Sequence, residues 1–131
     1  MTAPLPPGAD PVLSRARPDV EYLVWQTVHP LGSVVSFAYS STEGDPPGWL
    51  FTVAMQVDCR ASSRAAASVL ADAVRRAVCA LPWADWPGGV VSSVTVTEGP
   101  FWLPDPDGVP RYVVRFAVTA HPSRLSEGSK S

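Results

Sequence analysis

The chain has 131 residues, 46 % of them apolar and 17 % charged, which gives room for one domain burying roughly two thirds of its unfolded surface and excludes a disordered chain. A formal charge of −2 and a pI near 5.5 argue against a surface that grips nucleic acid, whose phosphates call for clustered Lys and Arg. The charged fraction lies below the roughly 25 % of an average globular protein, and a surface so poor in charge suits burial against partners.

The opening MTAPLPPGADP carries four prolines in eleven residues and no apolar period, which predicts an extended arm over residues 1–17 that docks on a neighbour or stays mobile. It pairs no basic segment with an apolar stretch, and no run approaches about 18 apolar residues, so neither secretion nor membrane insertion is expected. Pro18, acidic Asp19 and Glu21, and the stripe Leu23, Val24 and Val28 predict a first helix, with Trp25 as a candidate core residue. Pro30 and Gly32 end it. Ser33 to Tyr39 then alternates as a strand with Val35, Phe37 and Tyr39 on one face, and SSTEGDPPG reads as a loop.

Gly48 to Cys59 predicts a long strand, with Phe51, Val53, Met55 and Val57 facing one way and Thr52, Gln56 and Asp58 the other. Ser62 to Leu81 gives the strongest helical signal, with Ala66, Val69, Leu70, Ala73, Ala77, Val78 and Leu81 at helical spacing. Arg64, Ser68, Asp72, Arg75 and Arg76 fill the opposite stripe, and Asp72 with Arg76 forms an i, i+4 pair. Seven alanines between Ala65 and Ala80 make this helix slim enough to lie close to a sheet.

PWADWPGG breaks it, and Val90 to Thr97 and Arg111 to Thr119 alternate as two further strands, the last with Tyr112, Val114, Phe116 and Val118 on one face. Asp107-Gly108, within GPFWLPDPDGVP, suits the tip of a hairpin. Residues 122–131 are a polar tail. The order α-β-β-α-β-β predicts an α+β domain over residues 18–121, a four-stranded, mainly antiparallel sheet of two hairpins with two helices on one face. Leu50, Ala54, Val91, Val113 and Ala117 dilute the polarity of the other face, which points to burial against another subunit.

No constellation of reactive groups stands out. His29 and His121 each precede a proline at the end of an element, where capping or exposure is the simpler reading than general-base chemistry. Cys59 and Cys79 are expected to lie roughly 25 Å apart along one helix, too far for a disulfide, and with the two histidines they are too scattered for zinc. Asp105-Pro106-Asp107-Gly108 begins like a calcium loop but lacks the later bidentate Glu, and a turn explains it. No enzyme activity, cofactor or metal is therefore expected. Trp49, Trp83, Trp86 and Trp102 fall at element edges or in proline-rich loops, places that suit interface anchors and loop packing alike.

Three stretches, PDVEYLVWQTVHPLG, VAMQVDCRASSRAAASVLADAVRRAV and GPFWLPDPDGVPRYVVRFAVTAHP, together resemble the small tail terminator proteins of long-tailed bacteriophages, in the versions found in phages of actinobacteria. The likeness covers residues 18 to 122 and is strongest where a strand ends in an acidic residue followed by Ser-Arg and an alanine-rich helix. It implies a virion subunit, assembled in the host cytoplasm, that forms a ring, usually a hexamer, on the head-proximal end of the tail. Its partners would be other copies of itself, the tail tube protein and the head-tail connector or stopper, with DNA passing through the lumen without being gripped. Under that implication the loop Ser40 to Gly48 and the tip Leu103 to Pro110 become axial contacts, with Trp49, Trp83, Trp86 and Trp102 as anchors and Glu43, Asp45, Asp105, Asp107 and Arg111 as charged contributors. Another connector, stopper or minor tail protein stays open, as does a small ligand-binding regulatory α+β domain with a pocket between helix and sheet.

Overall fold

The computed structural model describes residues 18–43, 50–83, 85–86 and 89–122. The proline-rich arm, Asp45, Trp49 and most of the polar tail lie outside them. Helix α1 (Pro18–Val28) runs through a 3-10 turn (His29–Leu31) into β1 (Ser33–Glu43) and β2 (Phe51–Arg60). Helix α2 (Arg64–Cys79) follows, then the two-residue β3 (Asp85–Trp86), β4 (Gly89–Trp102) and β5 (Arg111–Pro122). The sheet order is β1-β2-β5-β4-β3, with every pairing antiparallel. Four long strands in two hairpins carry two helices on one face, the α+β arrangement that the sequence predicts, and β3 adds a short edge.

The core lies between that face and the helices. Val20, Val24 and Val28 of α1 and Ala71, Val74 and Val78 of α2 meet Val53, Met55, Val57, Val114, Phe116 and Val118, all buried. In the central register Met55 stands opposite Phe116, Val57 opposite Val114 and Val53 opposite Val118, so the bulkiest cross-strand pair sits in mid-sheet.

Three features depart from the sequence reading. The buried stripe of α2 is Ala67, Ala71, Val74 and Val78, while Val69 is 70 % exposed. The helix is thus rotated by about 100°, one residue, from the predicted stripe. The Ser63 N-cap, whose Oγ accepts from the Ala66 N–H at 3.1 Å, starts the helix close behind β2. In that orientation the small Ala67 and Ala71 face inward.

Val91 lies in the core, not on the outer face. The register slips between Val91 and Ser93, and Ser92 fills the bulge with its Oγ donating to the Thr119 carbonyl at 3.2 Å. One extra residue reverses the alternation, so Val91 and Val94 both point inward.

Strands β1, β4 and β5 are also longer than predicted. Ser40–Glu43 belong to β1 rather than to a loop, and β4 continues through Pro100 to Trp102. Val35, Phe37 and Tyr39 do share a face, but it is the outer one: their register partners Asp58 and Gln56 are outward, and the core side of β1 is Val34, Ser36 and Ala38.

Glu21 accounts for that choice at the edge of the sheet. It is fully buried on α1, and its Oε1 accepts the Ala38 N–H at 2.9 Å. A carboxylate reaching the strand backbone needs small side chains beside it, and Ser36 and Ala38 supply them.

Two glycines share nearly the same left-handed backbone, Gly99 at φ 87° and Gly108 at φ 85°. A Cβ on Gly99 would lie 2.5 Å from the Val113 carbonyl oxygen, whereas one on Gly108 would meet nothing within 4 Å. Gly99→Ala is expected to cost roughly 1–3 kcal/mol more than the positive φ alone, and Gly108→Ala only about 1 kcal/mol. Urea melts of the two variants check this, and equal losses would contradict it.

Candidate interaction surface

Because the strands are antiparallel and in register, the molecule has two well-defined ends. The 3-10 turn, the start of β1, the end of β2 and the β4–β5 tip share one end; Glu43, Trp83 and β3 share the other. The tip therefore stands at the end opposite Glu43, where the described part of the other predicted contact segment stops.

The tip is a tight, self-bonded turn. Gly108 N–H donates to the Asp105 carbonyl at 2.7 Å, Asp105 N–H to the Val109 carbonyl at 3.1 Å, and Asp107 N–H to Asp105 Oδ1 at 3.2 Å. Asp105 Oδ2 also pairs with Arg60 at 3.1 Å. Arg111 Nε donates to the Leu103 carbonyl at 2.8 Å, and its NH1 reaches the buried Asp58 at 3.3 Å. Asp105 and Arg111 thus hold the loop in shape, while Asp107 is exposed. Leu103 and Val109, which the sequence reading did not single out, stand exposed on this rigid base, and Leu31 is exposed at the same end. Their neighbours in the sequence are prolines and turn formers, which mark a loop without saying which side chain it displays.

The tryptophans divide. Trp102 is half-buried and packed on the core side: its ring lies 5.4 Å from Tyr112, with the Arg64 guanidinium 4.5 Å above it. Arg64 Nε also donates to the Tyr112 hydroxyl at 3.2 Å. Trp102 thereby pins the end of β4 to the start of α2 and is a packing residue. Trp83 at the opposite end is 73 % exposed and has φ 68°, while its N–H donates to the Val91 carbonyl at 2.6 Å. A large ring exposed on a backbone that side chains rarely adopt makes Trp83 a candidate contact position. Trp86 lies on β3 at that same end. Glu43 is exposed at the end of β1. Trp25 of α1 is half-buried and stacks on Tyr22 at 5.6 Å and on His29 at 4.2 Å.

The groups with reactive potential are dispersed. Cys59 is buried and Cys79 half-buried, both free thiols. Burial, with Asp58 adding, pushes the Cys59 thiol up to about 12, so it carries no thiolate at neutral pH. His29 and His121 sit at opposite ends of the sheet. Among the described residues no group of three or more His, Cys, Asp or Glu is placed to hold a metal, and no helix is long and apolar enough to cross a membrane. No family model matches this chain, and no curated protein sequence matches it either.

Two tests follow from this geometry. The Asp107 backbone N–H, with Arg60 and Arg111 adding and desolvation opposing, holds the Asp105 carboxyl below its ordinary range. Its contribution is therefore complete above the unfolded value of about 3.9 and is lost as pH falls through the lower folded value. The Asp107 amide, followed by NMR, should titrate with a midpoint below that of a free aspartate; a midpoint at or above it would refute the turn. Separately, Arg64→Ala should cost about 0.5–1 kcal/mol and alter tryptophan fluorescence, and an unchanged spectrum would place Trp102 elsewhere.

Proposed function

We propose that this chain is a virion structural subunit, a tail terminator that closes the head-proximal end of a bacteriophage tail tube as a ring, a hexamer of this chain, and presents the surface on which the head connector docks. The observation that carries the reading is the placement of exposed large apolar side chains at opposite ends of one sheet: Trp83 at one, Leu31, Leu103 and Val109 at the other. A subunit that sits between a tube and a connector needs two unlike axial contacts, each displayed on a rigid base. A net charge of −2 suits a ring through which DNA passes without being held. The resemblance of residues 18 to 122 to tail terminators is the reason this assembly is proposed over others with two unlike axial contacts.

Trp83 and the tip then take separate roles. Trp83→Gly removes a large exposed ring at a backbone position glycine prefers, so stability should hold or rise by up to about 1 kcal/mol while one axial contact is lost. Leu103→Asp combined with Val109→Asp should abolish the other. The assay is negative-stain microscopy of the purified chain mixed with purified tail tubes and, separately, with head connectors. Rings on one tube end, lost in one of these variants while connector binding is lost in the other, are expected. Binding to connectors with no affinity for tubes would reassign the chain as a stopper. Binding to neither would refute the proposal.

A further inference from the structure

Two polar side chains are buried between α1 and β1 with bonding capacity that the protein does not fill. Among the described residues three buried side-chain polar atoms have no hydrogen-bond partner within the chain: Glu21 Oε2, Ser36 Oγ and Arg60 Nε. Arg60 is the lesser case, because its side chain is 31 % exposed and its guanidinium already holds Asp105 at 3.1 Å. Glu21 and Ser36 are both fully buried. A polar atom left bare in an apolar core loses its bonds to water and gains nothing in return, so native structures almost always give it a partner.

The two residues belong to a single contact. Glu21 Oε1 accepts the Ala38 N–H at 2.9 Å, which fixes the carboxyl against β1 and holds Oε2 beside that bond. Ser36 precedes Ala38 by two residues on the same side of the strand, an advance of roughly 6.6 Å. Oε2 and Oγ make no bond to each other. One small molecule bonded to both, at about 2.8 Å each, spans up to roughly 5.6 Å, and the width of the carboxyl covers the remainder. Val20 and Val24 flank Glu21 on the helix and Ala38 stands beside Ser36 on the strand, all apolar and buried, so these neighbours supply no donor from their side chains.

The donor and acceptor pattern selects the ligand. A carboxylate oxygen takes a donor, and a hydroxyl both donates and accepts. A hard cation gathers about six or more oxygens, and one carboxyl with one hydroxyl falls short of that. We infer that α1 and β1 enclose a binding site for a single water molecule, which donates to Glu21 Oε2 and bonds Ser36 Oγ. The helix then clasps the edge strand at two points, directly at the Ala38 N–H and through water at Ser36. That double hold keeps Ser36 and Ala38 turned inward and Val35, Phe37 and Tyr39 outward. The inference goes beyond the terminator reading and does not rest on it.

A high-resolution crystal structure of the full chain tests the site directly. An isolated water oxygen within about 3.2 Å of both Glu21 Oε2 and Ser36 Oγ is expected. A dry contact, or Oε2 bonded straight to a protein group, overturns the inference. Ser36→Ala, followed by urea unfolding, tests it in solution through the sign of the change. With the water in place, loss of the hydroxyl strips it of a partner, and the unfolding constant should rise roughly five- to thirtyfold. Without the water, the same substitution only removes an unsatisfied hydroxyl, and the constant stays level or falls. A level or lowered constant therefore overturns the inference as well. Should Ser36→Ala fail to fold, the crystal structure of the parent chain decides alone.

Discussion

The pairing of β2 with β5 is the constraint on which the molecule turns. These strands belong to different hairpins, yet they occupy the centre of the sheet and align ten residues, Phe51 with Ala120 through Arg60 with Arg111. Bringing them together closes a long loop before any contact rewards it. The return comes from both faces at once: Met55 against Phe116 and Val57 against Val114 inside, Gln56 against Arg115 and Asp58 near Arg111 outside. Slipping the register by one residue would expose the valines and bury the arginines, so the hydrophobic pattern and the polar chain enforce the same alignment.

From that pairing follows where the helices go. α2 leads from β2 through β3 into β4 and lies across β2, β4 and β5, while α1 lies over β1 and touches α2. The alanines of α2 permit close approach, and the alanine-and-serine side of β1 permits α1 to bring a carboxylate to the strand backbone. The edges of the sheet are correspondingly poor templates for a further strand. β1 carries a bulge at Tyr39 and gives its Ala38 N–H to Glu21, and β4 is broken by register shifts and by Pro100. Irregular, partly occupied edges discourage edge-to-edge association.

Much of the candidate surface was legible as location and little of it as role. Proline and glycine clusters marked both turns, and Asp107-Gly108 identified the tip. They could not separate Asp105 and Arg111, which brace the tip, from Leu103 and Val109, which it displays. Trp83 and Trp102 read alike in sequence because each sits beside a proline or its near neighbour. They part company because β4 runs on past Gly99-Pro100 and carries Trp102 back over Tyr112 and under Arg64, whereas Trp83 falls in a turn that leaves it 73 % exposed.

The sequence by itself determined the elements, their order and the two-hairpin α+β plan, since apolar periods of two and of three to four are properties of neighbouring residues along one chain. It also determined that Met55, Val57, Val114 and Phe116 share a core. What only the tertiary structure decided is phase: which stripe of an alanine-rich helix turns inward, which side of Ser92 the alternation reverses, and which face receives Val35, Phe37 and Tyr39. Two of those outcomes are set by a partner distant in sequence, Thr119 for the bulge and Glu21 for β1. A helix with apolar residues on several sides, or a strand apolar on both, has no local preference strong enough to choose without one.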